Sequence, residues 1–231
     1  MSSGGLLGQP MVRIGSFGLS ESAVTATALT ILLAGGAGWA RSRLRLRDPA
    51  GWQVVLELAV QAIESTVRDS IPKAPERILP LVGTLWTYIL FANLVGLIPG
   101  LHSPTGDLSV TGALAAIVFF AVPYYGVRAA GLLAYVREYF TPMFWMFPFH
   151  LMSELTRTLT LAVRLFGNMT GMEVAIGILL LLAGFLVPVA FLFLHLIEAL
   201  LQAYIFGMLA LVYIAGGMQA LVDKQEPKKG Q

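Results

Sequence analysis

Leu159-Thr-Leu-Ala-Val-Arg-Leu-Phe-Gly-Asn-Met169 is an apolar stretch interrupted at its centre by a single arginine. From Thr158 to Val222 the chain carries only three formal charges: Arg164, Glu173 and Glu198. A helix needs roughly 20 apolar residues to cross a bilayer, so a segment this long predicts membrane helices. Arginine does not escape hydrocarbon by losing its proton, because its pKa lies above about 12. A charge at bilayer depth costs from about 3 to well over 10 kcal/mol. Such a residue faces a partner, a water-filled cavity or an ion pathway, which makes Arg164 the first candidate functional residue.

The composition agrees. The 231 residues are 57% apolar and 12% charged, about half the charge content of a soluble domain. That length suits about five spanning helices and leaves no room for a sizeable soluble domain. The net charge of +2 points to no nucleic-acid partner, since the basic residues cluster at the ends of apolar runs. Zero cysteines exclude disulfides, thiolate metal sites and cysteine nucleophiles. Met1 to Ser20 lacks a basic segment followed by an apolar core and does not read as a signal peptide.

Working outward, the first span is Ser22–Ala40, closed by Arg41-Ser-Arg-Leu-Arg-Leu-Arg47. The positive-inside rule makes that end cytoplasmic and residues 1–21 extracytoplasmic. In 51–71, Trp52, Val55, Leu56, Ala59, Ile63, Val67 and Ile71 recur at helical spacing, with Glu57, Glu64 and Arg68 opposite. This predicts an amphipathic helix, lying in the cytoplasmic interface or packed on its neighbours. Pro72 and Pro75 end it.

A second span runs from Ile78 to Ile98, followed by the polar loop His102-Ser-Pro-Thr-Gly-Asp107 outside. The third, Val110–Val127, contains Pro123, a candidate kink. The link 128–148 reads as interfacial and cytoplasmic. Two long apolar helices, 149–184 and 189–222, precede a basic cytoplasmic tail, 223–231. The fold class is an all-α integral membrane protein, with residues 78–222 as one domain of four membrane helices.

Ser153, Arg157, Thr160, Arg164 and Asn168 follow one another every third or fourth position, forming one polar stripe on a membrane helix. Such a stripe looks onto something other than lipid. Glu173, nine residues beyond Arg164, is half a turn away and about 13 Å along the axis, too remote for a direct ion pair. On the last helix His195, Glu198 and Gln202 share a face, and Glu173 is expected to join them across the helix interface. Histidine and carboxylate exchange protons, and glutamine hydrogen-bonds water or arginine. Blander roles compete: back-bonding hydroxyls at Ser153 and Thr160, a packing histidine, and a structural salt bridge at Arg164.

Arg164-Leu-Phe-Gly-Asn-Met169, Glu173, and His195 followed by Gln202 resemble subunit a of the F-type ATP synthase. Asn93-Leu-Val-Gly-Leu-Ile-Pro99, Asp107-Leu-Ser-Val-Thr111 and Gln202-Ala-Tyr-Ile-Phe206 extend the likeness over roughly residues 50–222. The resemblance implies a stator subunit whose last two helices are strongly tilted against a ring of c subunits. Arg164 would meet the ring's ion-binding carboxylate and block direct passage between two offset half-channels. Asn168, Glu173, His195, Glu198 and Gln202 would line the outer half-channel or stand near the arginine, and Ser153 the inner one. Asp107, His150, Glu154 and Arg157 are further candidates.

Implied partners are the c ring, peripheral-stalk b subunits, the rest of the complex and the lipid bilayer. The implied location is a bacterial inner membrane, N-terminus outside and C-terminus inside. No cofactor or metal is implied. His150 stands where the family often has a glutamate, with Glu154 one turn later, and Thr158 stands where a proline is common. The coupling ion is accordingly a proton or sodium.

Nothing reads as Gly-x-x-x-x-Gly-Lys-Ser/Thr, so the resemblance assigns ATP chemistry to other subunits. A secondary transporter or channel with a midplane ion site is the alternative, but it calls for internal repeats and paired broken helices, and neither is evident. An intramembrane hydrolase would have to pair Ser153 with His150, one turn away.

Overall fold

The computed structural model describes residues 10–14, 17–45, 50–71, 75–98, 101–139, 145, 147–183 and 186–225. Among these residues, seven α-helices follow a short antiparallel pair of strands, β1 (Pro10–Ile14) and β2 (Phe17–Ser20). The pair was not expected from the sequence. Its signal is weak: Val12 and Ile14 are β-branched but Phe17-Gly-Leu-Ser20 holds no β-branched residue, and an isolated hairpin is marginal on its own.

Helix α1 spans Glu21–Arg43, α2 Gly51–Ser70, α3 Pro75–Val95, α4 Leu108–Ala130, α5 Leu132–Tyr139, α6 Phe147–Ala183 and α7 Leu186–Gln225. Five of them, α1, α3, α4, α6 and α7, are long and apolar enough to cross a membrane. The link after α4 thus contains a helix, and α7 continues past the last span into the basic tail. Pro123 stands inside α4 without ending it. What ends α4 is Gly131, whose φ of 88° suits glycine and whose N–H donates to the Val127 carbonyl at 2.8 Å. Pro188 falls in the first turn of α7, where no intrahelical N–H bond is lost.

Helices α3, α4, α6 and α7 pack into a bundle. Its centre joins Leu85, Ile89, Val118, Leu161, Leu165 and Phe206 with the small residues Ala115, Ala162, Ala203 and Ala210. Lipid tails are as apolar as leucine, so membrane helices gain by close packing, which small residues permit. A second cluster brings Val67 and Ile71, at the end of α2, against Ile78, Val82, Trp86, Leu211 and Ile214. The amphipathic helix therefore divides. Its second half packs on α3 and α7, while Trp52, Val55, Leu56 and Leu58 stay exposed. Glu64 and Arg68 pair at 2.6 Å on its outer side, a surface contact of small energetic worth.

With 37 residues in α6 and 40 in α7, these helices are about 55 and 60 Å long at 1.5 Å per residue. The hydrocarbon core is about 30 Å thick. Neither fits upright; each must tilt steeply or project beyond the core.

Helices α3 and α7 approach closely at Gly207. Trp86 of α3 donates its indole N–H to the Tyr204 carbonyl at 3.2 Å and stacks on the Tyr204 ring. A Cβ on Gly207 would overlap that indole. Gly207→Ala is therefore expected to destabilise the bundle by about 1–3 kcal/mol, read as a lower midpoint of thermal denaturation in detergent. Adding Trp86→Leu should recover part of the loss.

Candidate functional site

Between α3 and α4 the chain does not stay outside the bundle. A single 3-10 turn, Pro104–Gly106, packs against α1, α3, α4 and α6. Ser103, Thr105 and Asp107 around it are buried. Irregular backbone at membrane depth survives only where its polar groups are satisfied within protein or water, and here a network does so. The Ser103 hydroxyl donates to the Ala92 carbonyl at 2.9 Å and lies 2.6 Å from the Thr105 hydroxyl. Thr105 donates to Asn93 Oδ1 at 2.7 Å, and Asn93 Nδ2 reaches the Ala199 carbonyl at 3.4 Å. Asn93 thus ties the loop to both α3 and α7.

Glu173 closes this network from α6. Its Oε1 accepts the Ser103 N–H at 2.8 Å, and its carboxylate lies so close to Gly106 that an added Cβ would sit 3.3 Å from Oε2. Thr170, three residues earlier, donates to the Gly106 carbonyl at 3.3 Å. Glu173, expected beside His195, Glu198 and Gln202, makes its hydrogen bond to the loop rather than to any of these three. The reason is sterically simple, since the inserted turn occupies the place beside α6. Gly96 marks the boundary, with Ser103 Cβ and His195 Cε1 both 3.0–3.4 Å from the position of an added Cβ.

On α7, His195 and Gln202 are fully buried on one face and Glu198 is half-buried. Gln202 Oε1 accepts a hydrogen bond from Asn168 Nδ2 of α6 at 2.8 Å. Both ring nitrogens of His195, Nε2 of Gln202 and Oδ2 of Asp107 have no hydrogen-bond partner among the described residues. Leaving buried polar atoms unmade costs a few kcal/mol each, so such sites call for water or a polar partner. Asp107 uses its other oxygen to cap α4, accepting the Ser109 N–H at 2.8 Å.

The polar stripe on α6 is one stripe in sequence and two surfaces in space. Asn168 turns inward to Gln202, while Ser153, Arg157, Thr160 and Arg164 are exposed. Thr160 back-bonds to the Thr156 carbonyl at 2.7 Å, and the Arg157 guanidinium lies over the Tyr213 ring at 5.5 Å. Among the described residues, none makes a hydrogen bond or ion pair with Arg164. His150 is exposed and Glu154 half-buried near the start of α6. No three His, Asp or Glu side chains converge as metal ligands would among the described residues.

Asn93, Ser103 and Thr105 were not singled out as site residues from the sequence. Their signals are an asparagine inside an apolar span, at the head of the Asn93–Pro99 motif, and a polar turn too short to cover itself. Thr105→Val keeps the shape but removes the donor to Asn93 and the contact with Ser103. The expected cost is about 1–3 kcal/mol, seen as a lower thermal midpoint in detergent.

The family model described as ATP synthase A chain matches residues 22–215. Similar relatives include ATP synthase subunit a 2 of Pelobacter propionicus, 48% identical over 96% of both chains. ATP synthase subunit a 1 of Hahella chejuensis is 50% identical over 92% of this chain and 90% of its own. ATP synthase subunit a of Legionella pneumophila is 44% identical over 95% of this chain and 96% of its own.

Proposed function

This chain belongs to the ATP synthase A chain family, and on that premise we propose that it is the ion-translocating stator subunit of a rotary F-type ATP synthase. The carrying observation is Arg164: a permanent cation on an exposed face of a membrane helix, with no ion-pair partner among the described residues. Hydrocarbon alone would make that position prohibitively costly, so the counter-charge comes from another chain. A carboxylate on a passing c subunit supplies it. The fixed guanidinium favours the carboxylate's ionised form and repels a cation from crossing straight between the two half-channels. Ion flow then requires the ring to turn.

The outer half-channel runs past Asp107, Glu173, His195 and Gln202 toward Asn168. The unpartnered atoms of Asp107, His195 and Gln202 support this, because they are where water would be held. The inner half-channel begins at Ser153, with His150, Glu154 and Arg157 near its mouth. Peripheral-stalk b subunits hold the chain against the ring's drag. The membrane is the bacterial inner membrane, with the arginine-rich end of α1 cytoplasmic. No observation favours the transporter or hydrolase readings.

Inverted vesicles carrying the assembled complex test this. Arg164→Ala should abolish ATP-driven ion pumping, and pumping at the wild-type rate would sink the mechanism. Arg164→Lys should also uncouple, because an ammonium lacks the delocalised fork. Glu173→Gln should slow pumping several-fold without abolishing it. Repeating the assay with and without sodium, and with a protonophore, identifies the ion.

A further inference from the structure

Helix α1 is held loosely: Leu29 is its one buried residue among those described. Where it stands away from the bundle, a groove of about 520 Å³ opens along the membrane. Leu33 and Ala37 of α1, Val60 and Ile63 of α2, and Gly83 and Tyr88 of α3 line it. The hydroxyls of Thr30, Thr84 and Thr87 there are turned back onto their own helices, donating to Ala26, Pro80 and Gly83 carbonyls at 2.8, 2.6 and 2.8 Å. Apart from the Tyr88 hydroxyl, the groove wall is therefore apolar.

At the basic end of α1 a second hollow, of about 280 Å³, lies between α1 and α2. Trp39, Arg43, Arg45, Trp52 and Gln53 line it. Its walls are fixed. Gln53, only 5% exposed, accepts the Arg45 N–H at 3.1 Å and donates to the Arg45 carbonyl at 3.0 Å. Gln53 also engages Glu57 at 2.7 Å. Trp39 and Trp52 lie 5.6 Å apart, with the Arg43 guanidinium 5.8 Å over Trp39. Both hollows run along α1 and reach α2, and Ala37 of the first is about 3 Å along α1 from Trp39 of the second.

We propose that the two hollows form one binding site for an anionic phospholipid, its phosphate held by Arg43 and Arg45 and an acyl chain in the groove. A cationic, tryptophan-rimmed pocket at interface depth, continuing into an apolar slot, matches the two ends of that molecule. Seated there, the lipid would fill the space α1 leaves and fasten that helix to α2 and α3.

Titrating the detergent-solubilised complex with phosphatidylglycerol, read by native mass spectrometry, tests the site. Each of Arg43→Gln and Arg45→Gln is expected to weaken binding about fivefold. Arg41→Gln removes the same charge from the same segment but does not line the pocket, and should leave binding unchanged. An equal loss there would mean diffuse attraction and overturn the site. Gly83→Leu should also lower affinity with the arginines intact, because its side chain would occupy the groove, while the new Cβ meets Ile63 only at ordinary contact, 3.9 Å, and leaves the helix packing undisturbed. Unchanged affinity in that variant, equal binding of phosphatidylcholine, or displacement by inorganic phosphate would each overturn a phospholipid occupant.

Discussion

The hydrogen bond from the Ser103 N–H to the Glu173 carboxylate, 2.8 Å long, fastens a turn of irregular chain among membrane helices. Irregular backbone exposes N–H and C=O groups that hydrocarbon cannot satisfy. The turn is tolerable because Asn93, Ser103, Thr105, Thr170 and Glu173 together take up its polar groups. What the bundle gains is a polar interior at the end of α3 and the start of α4. The same residues hold α6 and α7 at fixed distances from that interior, so the neighbouring His195, Gln202 and Asn168 inherit their positions from it.

Helix α6 then serves two clients. One face, through Leu161, Ala162, Leu165 and Met169, is buried in the bundle. Another carries Arg164 outward into what, for a lone chain, would be lipid. On the proposed reading, the molecule is incomplete by itself in a specific sense: its most expensive charge, unpaired among the described residues, is left for a neighbour. Arg157 differs, because the Tyr213 ring beneath it compensates it locally.

Much of this was legible in the sequence. Uncharged length gave the five spans, and the three-four spacing separated Arg164 from Glu173, because helix geometry is rigid enough to be counted. What counting misses is the turn between helices. That Glu173 bonds Ser103 rather than His195 depends on where a six-residue loop folds, and loop placement has no periodicity. The polar stripe is silent on its partners for a related reason: that Asn168, at its edge, meets Gln202 depends on another helix. The division of α2 into a packed half and an open half likewise depends on α3 and α7, not on its own pattern.

The length of α6 carries a consequence of its own. If a helix of about 55 Å lies wholly within a core of about 30 Å, each residue advances only about 0.8 Å in depth. Arg164 and Glu173, nine residues apart, then differ by about 7 Å in depth and about 11 Å sideways. Most of their separation is parallel to the membrane surface. A steeply inclined helix thus converts axial spacing along the chain into lateral reach within the plane of the membrane.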